Sequence, residues 1–131
     1  MPAVPGVGIL AGVPRLVSYL DSRRPAVLFA SRTHTNIAAV ATGALADVDV
    51  HVAITEHSPF DYQATAKDRA TAAIASQVYA YADDVITVSE GVAESVVENT
   101  RLSPDSTTVL NNPVDIAAIR AGAEEPVGHE W

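Results

Sequence analysis

The sequence predicts an α/β fold in which about four parallel strands form a sheet with flanking helices. Three observations support this prediction. Short apolar runs rich in β-branched residues recur along the chain. Segments with apolar residues at helical spacing separate these runs, as in consecutive βαβ units. Polar residues follow each run, as expected where a strand that is buried on both faces ends at the carboxyl edge of the sheet.

Each predicted strand is a short apolar run between polar or proline residues. The predicted strands are Pro25–Ser31, Val48–Thr55, Asp83–Ser89 and Ser106–Asn112. The predicted helices are Pro14–Arg24, Thr33–Asp47, Thr65–Ala82, Glu90–Thr100 and Pro113–Ala123. Each connection from a strand through a helix to the next strand is expected to be right-handed.

Helical spacing predicts which side chains of the middle three helices face the core. These are Ile37, Val40, Ala41, Ala44 and Leu45 in the second helix, Ala70, Ile74, Val78 and Tyr81 in the third, and Val92, Val96 and Val97 in the fourth. Thr33 or Thr35 is expected to cap the second helix, and Pro113 is expected near the first turn of the last one.

Composition and charge limit the possible functions. The chain has 131 residues, of which 48% are hydrophobic, and this length fits one globular domain. Its net charge is −8 without any run of Lys or Arg, which disfavours nucleic acid or an anionic membrane as a partner. The absence of cysteine excludes disulfides and thiolate metal sites and fits a cytoplasmic protein. No segment approaches the roughly 20 apolar residues of a membrane span, and the proline-interrupted start lacks the basic residues of a signal peptide.

Polar residues at the ends of the predicted strands indicate a candidate site. They are Ser31, Arg32 and His34, then Thr55, Glu56 and His57, then Ser89 and Glu90, and finally Asn111 and Asn112. Ser31, Ser89 and Asn111 fit ordinary loops, whereas histidine and glutamate are not preferred turn residues. Two interpretations of Glu56 and His57 stay open. They form a base and the group that orients it, or Glu56 belongs to a buried pair that holds the loop in place.

Other motifs are interpreted as structural. The sequence GVGILA (Gly6–Ala11) fits a dinucleotide-binding pattern but lacks a preceding strand. Glu90, Glu94 and Glu98 share one helix face as a solvated ladder, and His51 is expected to be a packed core histidine. Glu56, His57 and Asp61 do not complete a metal-ligand set, so no metal is predicted. Phe60 and Tyr62 are expected in the core, with stacking on a sugar as the alternative.

The second half of the chain resembles the N-terminal domain of family 4 glycosyltransferases. A strand ending in Val88-Ser89 is followed by Gly91-Val92-Ala93 at the start of a helix, and then by the turn Asn112-Pro113-Val114-Asp115. The segments RPAVLFASRTHTNIAAV and VAITEHSPF are similar to the two preceding strands and their loops. The resemblance extends from about Pro14 to the end of the chain.

This resemblance implies part of a GT-B fold, with a Rossmann-like domain over residues 1–123 and a polar tail over 124–131. The N-terminal domain of such enzymes holds the sugar acceptor, and a second domain holds the nucleotide-sugar donor. His57, Glu56, His34, Arg32 and Ser89 are therefore the acceptor-binding candidates, while no catalytic residue is assigned. No cofactor is expected, because the donor would bind a domain that this chain lacks.

The resemblance also implies departures from a whole enzyme. The first strand of the family and its Gly-rich loop have no counterpart here, and the chain stops at Trp131. We therefore expect a truncated segment that is inactive alone, membrane-peripheral in a full-length enzyme, and prone to self-association through the edge of its first strand. A separate donor-domain chain is a possible partner. The alternatives are a non-catalytic sugar-binding module and a nonfunctional gene remnant.

Overall fold

The computed structural model describes residues 9–60, 65–125 and 128. The α-helices are α1 (Val13–Arg23), α2 (Thr33–Leu45), α3 (Ala66–Val78), α4 (Glu90–Asn99) and α5 (Ile116–Ala123). The strands are β1 (Val27–Ser31), β2 (His51–Glu56), β3 (Asp84–Thr87) and β4 (Thr107–Val109). Short 3-10 helices lie at Ile9–Gly12, Tyr79–Tyr81 and Pro104–Ser106. Within the described part of the chain, no helix combines the length and the apolar character needed to cross a membrane.

The four strands form a parallel sheet in the order β1-β2-β3-β4. This confirms the predicted α/β, Rossmann-like class. The connections through α2, α3 and α4 all step in the same direction across the sheet. Right-handed crossovers of this kind place all three helices on one face, which we call the covered face; the opposite side is the open face.

Burial along the strands agrees with this one-sided arrangement. The covered face contributes Leu28, Ala30, Val52, Ile54 and Val85 to the hydrophobic core. The helices supply Leu20, Ile37, Val40, Ala75, Val92 and Val96 to the same cluster. On the open face, Val27 and Phe29 of β1 are 53% and 61% exposed. The main core therefore lies between the sheet and one layer of helices.

Of the predicted core residues of α3, Val78 packs against the core, whereas Ala70, Ile74 and Tyr81 are exposed. Ile74 is 45% exposed and Tyr81 is 76% exposed, whereas Ala75 and Tyr79 are fully buried. In this alanine-rich segment the apolar spacing fits two adjacent stripes about equally well, and packing against α2 selects the one that ends in Tyr79. In α2, Ile37 and Val40 are buried as predicted, while Leu45 is exposed.

The starts of two helices also differ from the prediction. Neither Thr33 nor Thr35 caps α2, because Arg32 occupies the N-cap position without a side-chain cap. The last helix begins after the Asn-Pro turn, since the side chain of Asp115 accepts a hydrogen bond from the Ala118 N–H at 2.9 Å. Pro113 therefore precedes the helix. A proline ahead of the cap cannot extend the helix backwards and fixes the path of the entering chain.

His51 is not the packed core histidine that the sequence predicts. It is the first residue of β2, on the open face, and its side chain is 47% exposed. Its Nε2 lies 2.6 Å from Oδ2 of Asp84. That hydrogen bond raises the pKa of His51, with the charge of Asp83 adding to the effect.

Several predictions concern residues outside the described part. Asp61 and Tyr62 lie there, so neither sugar stacking by Tyr62 nor a role of Asp61 is addressed. The same holds for Gly6 to Gly8 of the GVGILA motif and for most of the predicted polar tail. Phe60 is described, and it is buried with its ring edge-on to Tyr79 at a centroid separation of 5.6 Å.

Candidate functional site

A cleft of about 590 Å³ opens at the carboxyl ends of β1 and β2. Its lining residues are Arg32, Thr33, His34, Thr35, Glu56, His57, Ser58 and Asp68. Four of the five predicted acceptor-binding candidates, Arg32, His34, Glu56 and His57, thus meet in one place. They do so because β1 and β2 are neighbouring parallel strands whose carboxyl ends lie side by side.

Ser89 does not line this cleft. It is the N-cap residue of α4, and its hydroxyl oxygen accepts a hydrogen bond from the Val92 N–H at 3.4 Å. The position at the end of β3 places Ser89 at the predicted rim, but its side chain satisfies the start of a helix. Ser89 therefore lies outside the cleft that the other four candidates line.

Glu56 is a buried acid at the base of the cleft. Only 2% of its surface is exposed. The Oε1 atom accepts hydrogen bonds from the Tyr79 hydroxyl and, at 3.1 Å, from Nδ2 of Asn36. Thr33, in the first turn of α2, is a third hydrogen-bonding partner of the carboxyl group. Glu56 thus joins the end of β2 to α2 and to the 3-10 turn after α3.

Burial dominates the electrostatics of this acid. Removal from water raises the pKa of Glu56, and the hydrogen bonds with Tyr79, Thr33 and Asn36 offset only part of that effect. Burial likewise raises the pKa of the Tyr79 hydroxyl, and the neighbouring Glu56 adds to the rise. The hydroxyl therefore keeps its proton and acts as the donor to Glu56.

His57 follows Glu56 directly but turns away from it. Its Nε2 lies 3.3 Å from the Thr55 hydroxyl, which itself donates to the Ala30 carbonyl at 3.3 Å. Because that hydroxyl has one hydrogen, it accepts from Nε2–H of His57. In the tautomer with its proton on Nε2, the ring presents Nδ1 as its acceptor nitrogen. Glu56 anchors the loop through other partners and does not orient His57 through a described hydrogen bond.

The loop after His57 is fixed at its far end. The Phe60 N–H donates to the Ser95 hydroxyl of α4 at 2.8 Å, and the buried Phe60 ring packs on Tyr79. Across the cleft, Nε2 of His34 lies 3.2 Å from the Thr71 hydroxyl of α3. His34 is thus held by α3, whereas His57 is held by Thr55 of β2 and by a loop whose far end is bonded to α4.

Arg32 adopts a strained backbone conformation at the turn between β1 and α2. Its φ is 77° and its ψ is 136°, a region that glycine tolerates and a bulky side chain does not favour. The Arg32 N–H donates to the Thr55 carbonyl at 3.3 Å, and its own carbonyl accepts from Asn36 N–H at 2.9 Å. Non-glycine residues in such conformations concentrate at functional sites.

Sequence reasoning missed Asn36 and Tyr79, which hold Glu56. Both are fully buried. Asn36 also donates to the Thr55 carbonyl at 2.8 Å. The available signal was the position of Asn36, one residue before Ile37 and four before Val40, on the core side of the helix. A polar side chain at such a position needs buried partners, and Glu56 is one that the sequence already singled out.

The chemistry of the cleft suits a polyhydroxylated ligand. It presents imidazole and hydroxyl groups, a guanidinium and carboxyl groups, which together donate and accept hydrogen bonds in several directions. Among the described residues, no three His, Cys, Asp or Glu side chains are placed to bind a metal ion together.

The family model of Glycosyltransferase Family 4 matches residues 4–118. The chain belongs to this family. It is also similar in structure to a protein described as lipopolysaccharide outer core galactosyltransferase WaaB in its apo form, with a TM-score of 0.64 and 18% sequence identity. The similarity covers 82% of this chain and 27% of that one. At this identity the likeness shows the fold alone. A comparison with curated proteins finds no match.

Both findings agree with the resemblance seen in the sequence. The matched structure is described as a galactosyltransferase, and this family 4 chain spans about a quarter of its length. The glycosyltransferase family and the Rossmann-like architecture are thereby confirmed.

Proposed function

We propose that this chain provides the acceptor side of a glycosyltransferase. In this proposal a complete enzyme moves a sugar from a nucleotide-sugar donor to an acceptor glycan or lipid. The supporting observation is that Arg32, His34, Glu56 and His57 line one polar cleft at the carboxyl edge of the sheet. Ligands of open α/β sheets bind at this edge, and the family supplies the reaction class.

Each lining residue has a role in this proposal. Nδ1 of His57 accepts a hydrogen bond from an acceptor hydroxyl, and His34 and Arg32 hydrogen-bond to other parts of the glycan. Glu56 stays buried and fixes the end of β2 from which His57 projects. Ser89, whose hydroxyl caps α4, contributes to the shape of the sheet edge and makes no direct contact with the acceptor.

Titration of the chain with sugars tests the acceptor-side assignment. The probes are simple acceptor glycans and, separately, UDP- and GDP-sugars, with the ring signals of His57 and His34 followed by NMR. We expect shifts with at least one glycan and none with the nucleotide sugars, and we expect His57→Ala to abolish binding. His51→Ala is the matched control, because His51 lies at the opposite end of β2. Binding of nucleotide sugars alone, or of neither class, would contradict the assignment.

We further propose that the chain is inactive on its own. Glycosyl transfer needs groups that hold the donor phosphates and stabilise the charge that develops on them, and we assign that task to a separate donor-domain chain. An assay of nucleotide release from UDP- and GDP-sugars, with a bound glycan present, should give no turnover. Turnover by the isolated chain would refute the proposed division of roles.

A non-catalytic sugar-binding module is the second candidate. The described lining of the cleft comes entirely from this chain, from α2, β2, α3 and the turns beside them. In this second candidate function the cleft binds a glycan without another domain. Binding that persists while no added donor-domain chain restores transfer would favour this candidate, and absence of any binding would favour a gene remnant. Cell fractionation would test the predicted cytoplasmic location and the membrane-peripheral location of a full-length enzyme.

We also propose self-association through the edge of β1. The Ala26 carbonyl and the Arg32 N–H both bond to β2. Because alternate residues of a strand point their backbone groups to opposite sides, Val27, Phe29 and Ser31 direct theirs to the unpaired edge. Val27→Pro removes one outward N–H and keeps the β1–β2 ladder. If the edge is the interface, this variant should be monomeric in light scattering where the wild type is not.

A further inference from the structure

A second, smaller cavity adjoins the cleft on the side of α3, and we call it the side pocket. Its volume is about 140 Å³. The residues that line both the side pocket and the cleft are Thr33, His34, Ser58 and Asp68. Because four residues are common to the two walls, ligand groups bound in the two cavities would be direct neighbours.

The residues between the two cavities are held in place by hydrogen bonds. Nε2 of His34 lies 3.2 Å from the Thr71 hydroxyl of α3. Oδ2 of Asp68 accepts hydrogen bonds from the Thr65 N–H at 2.9 Å and from the Thr65 hydroxyl at 2.7 Å. An imidazole and a carboxylate are thus fixed at the junction before a ligand binds, which lowers the entropy that binding costs.

The lining of the side pocket is partly apolar and partly polar. Pro59, Phe60 and Ala72 supply apolar surface, and Asp68 and Thr71 supply a carboxylate and a hydroxyl group. A sugar ring has the same division, because its C–H faces are apolar and its edge carries hydroxyl groups. An alkyl chain matches this lining less well, since it would exclude water from the carboxylate of Asp68 and offer no hydrogen bond in return.

The size of the side pocket fits one sugar unit. A cavity needs about 10–15 Å³ to hold one water molecule, so the side pocket has room for roughly ten groups of that size. A pyranose ring with its substituents has about as many non-hydrogen atoms. The cleft, at about 590 Å³, has room for the unit that carries the reacting hydroxyl.

We propose that the acceptor is a glycan of at least two sugar units, with one unit in the cleft beside His57 and the next unit in the side pocket. This inference rests on the acceptor-side function proposed above. It narrows the acceptor to an oligosaccharide, either free or as the head of a larger molecule. His34 lies at the junction and contacts both units, so it determines specificity for the longer acceptor.

Calorimetric titration compares three ligands that share one sugar: the methyl glycoside, disaccharides in the common linkages, and the octyl glycoside below its micelle concentration. The set is repeated for glucose, galactose, mannose and N-acetylglucosamine. For a sugar that binds, we expect a disaccharide to bind at least about tenfold more tightly than the methyl glycoside. The octyl glycoside should bind no more tightly than the methyl glycoside.

Ala72→Leu tests the side pocket, because a larger side chain at this partly buried position fills the space. This variant should lose the preference for the disaccharide and keep its affinity for the methyl glycoside. Ala73→Leu is the matched control, since Ala73 is exposed on the same helix and lines neither cavity. It should keep the tenfold preference.

NMR of the wild type gives a second answer that does not depend on the folding of a variant. The amide signals of Thr71 and Ala72 should shift when the disaccharide binds and stay unchanged with the methyl glycoside. The ring signals of His57 should shift with both ligands, because both place a sugar unit in the cleft.

Three results would overturn the inference and leave the acceptor-side function in place. The first is equal binding of the disaccharide and the methyl glycoside. The second is a preference that survives Ala72→Leu or arises without shifts at Thr71 and Ala72. The third is tightest binding of the octyl glycoside, which would make the side pocket a site for an apolar group. Absence of binding by every sugar would instead contradict the proposed function, and the inference would fall with it.

Discussion

Glu56 is an acid that is almost completely buried, and its surroundings supply hydrogen bonds in place of most of its contacts with water. Tyr79, Asn36 and Thr33 come from two separate segments and converge on its carboxyl group. Such a network stabilises one position of the strand end, although Oδ1 of Asn36 is a buried acceptor with no hydrogen-bond partner among the described residues. The precision with which His57 is placed therefore depends on residues that do not line the cleft, above all Asn36 and Tyr79.

The raised pKa of Glu56 predicts a particular dependence of stability on pH. Between the ordinary value of 4.5 and the raised pKa, the folded chain keeps a proton that the unfolded chain has lost. The contribution of Glu56 to the free energy of unfolding therefore falls as the pH rises through this window. The Glu56→Gln side chain stays neutral at every pH. Across the window, the free energy of unfolding of this variant should therefore rise relative to that of the wild type, by about 1.4 kcal/mol for each pKa unit of the shift.

Urea denaturation at several pH values measures this difference. Glu98→Gln is the control, because it makes the same substitution at an exposed position of α4 that is outside the Glu56 network. Parallel curves for Glu56→Gln and the wild type would mean that Glu56 has an ordinary pKa in the folded chain. Loss of stability in the variant at every pH would show that its hydrogen bonds outweigh the removed charge.

At the scale of elements, the close approach of α2 to β2 shapes the cleft. Gly43 lies within α2, and a Cβ atom at this position would be 2.5 Å from Cγ2 of Val52. Real Cβ atoms do not approach so closely, and a β-branched valine has few alternative rotamers. The glycine thus sets the distance between the helix and the strand that ends in Glu56.

Gly43→Ala should therefore destabilise the protein although alanine favours helices. We expect a loss of about 1–3 kcal/mol in the free energy of unfolding from overpacking. Gly91→Ala in α4 is the control, because an added Cβ there meets nothing within 4 Å. It should be neutral or stabilise by about 0.5–1 kcal/mol. Chemical denaturation compares the two, and equal effects would contradict the close contact.

On the scale of the whole molecule, one layer of helices packs on a sheet that has two faces. The described core is therefore one-sided, with Phe29 and Leu110 more than half exposed on the other face. The net charge of −8 opposes the approach of a second copy to the edge of β1, where self-association is proposed. The balance between strand pairing at that edge and charge repulsion decides whether the chain is found as a monomer or a dimer.

Salt should shift that balance toward the dimer. Raising the ionic strength from about 20 mM to about 300 mM shortens the range of repulsion between two acidic chains from about 20 Å to about 6 Å. Hydrogen bonds between backbone groups carry no net charge and are not weakened by this change, so the dissociation constant should fall by several-fold. Sedimentation at the two salt concentrations measures it. A dimer that dissociates as salt is added would show that ion pairs, and not strand pairing, hold the interface.

The order of apolar and polar residues along short segments of the sequence determined much of the fold. Alternation of β-branched runs with helical segments predicted the four strands and five helices of the described residues. It could do so because a buried strand or a buried helix face needs apolar residues at a characteristic spacing. The same alternation placed Arg32, His34, Glu56 and His57 at one edge of the sheet. The Gly91-Val92-Ala93 and Asn-Pro-Val-Asp segments predicted the family that the family model confirmed.

Other features depend on contacts between residues distant in sequence, and only the tertiary structure decided them. The apolar residues of the alanine-rich α3 do not single out one face of the helix. Tertiary packing therefore decides that Tyr79, and not Tyr81, is buried in the core. Asn36 and Tyr79 are 43 residues apart, and nothing local indicates that both bond to Glu56. His51 came to face Asp84 through the register between β2 and β3. Local sequence fixes which elements form, whereas burial and pairing between them fix which side chains meet.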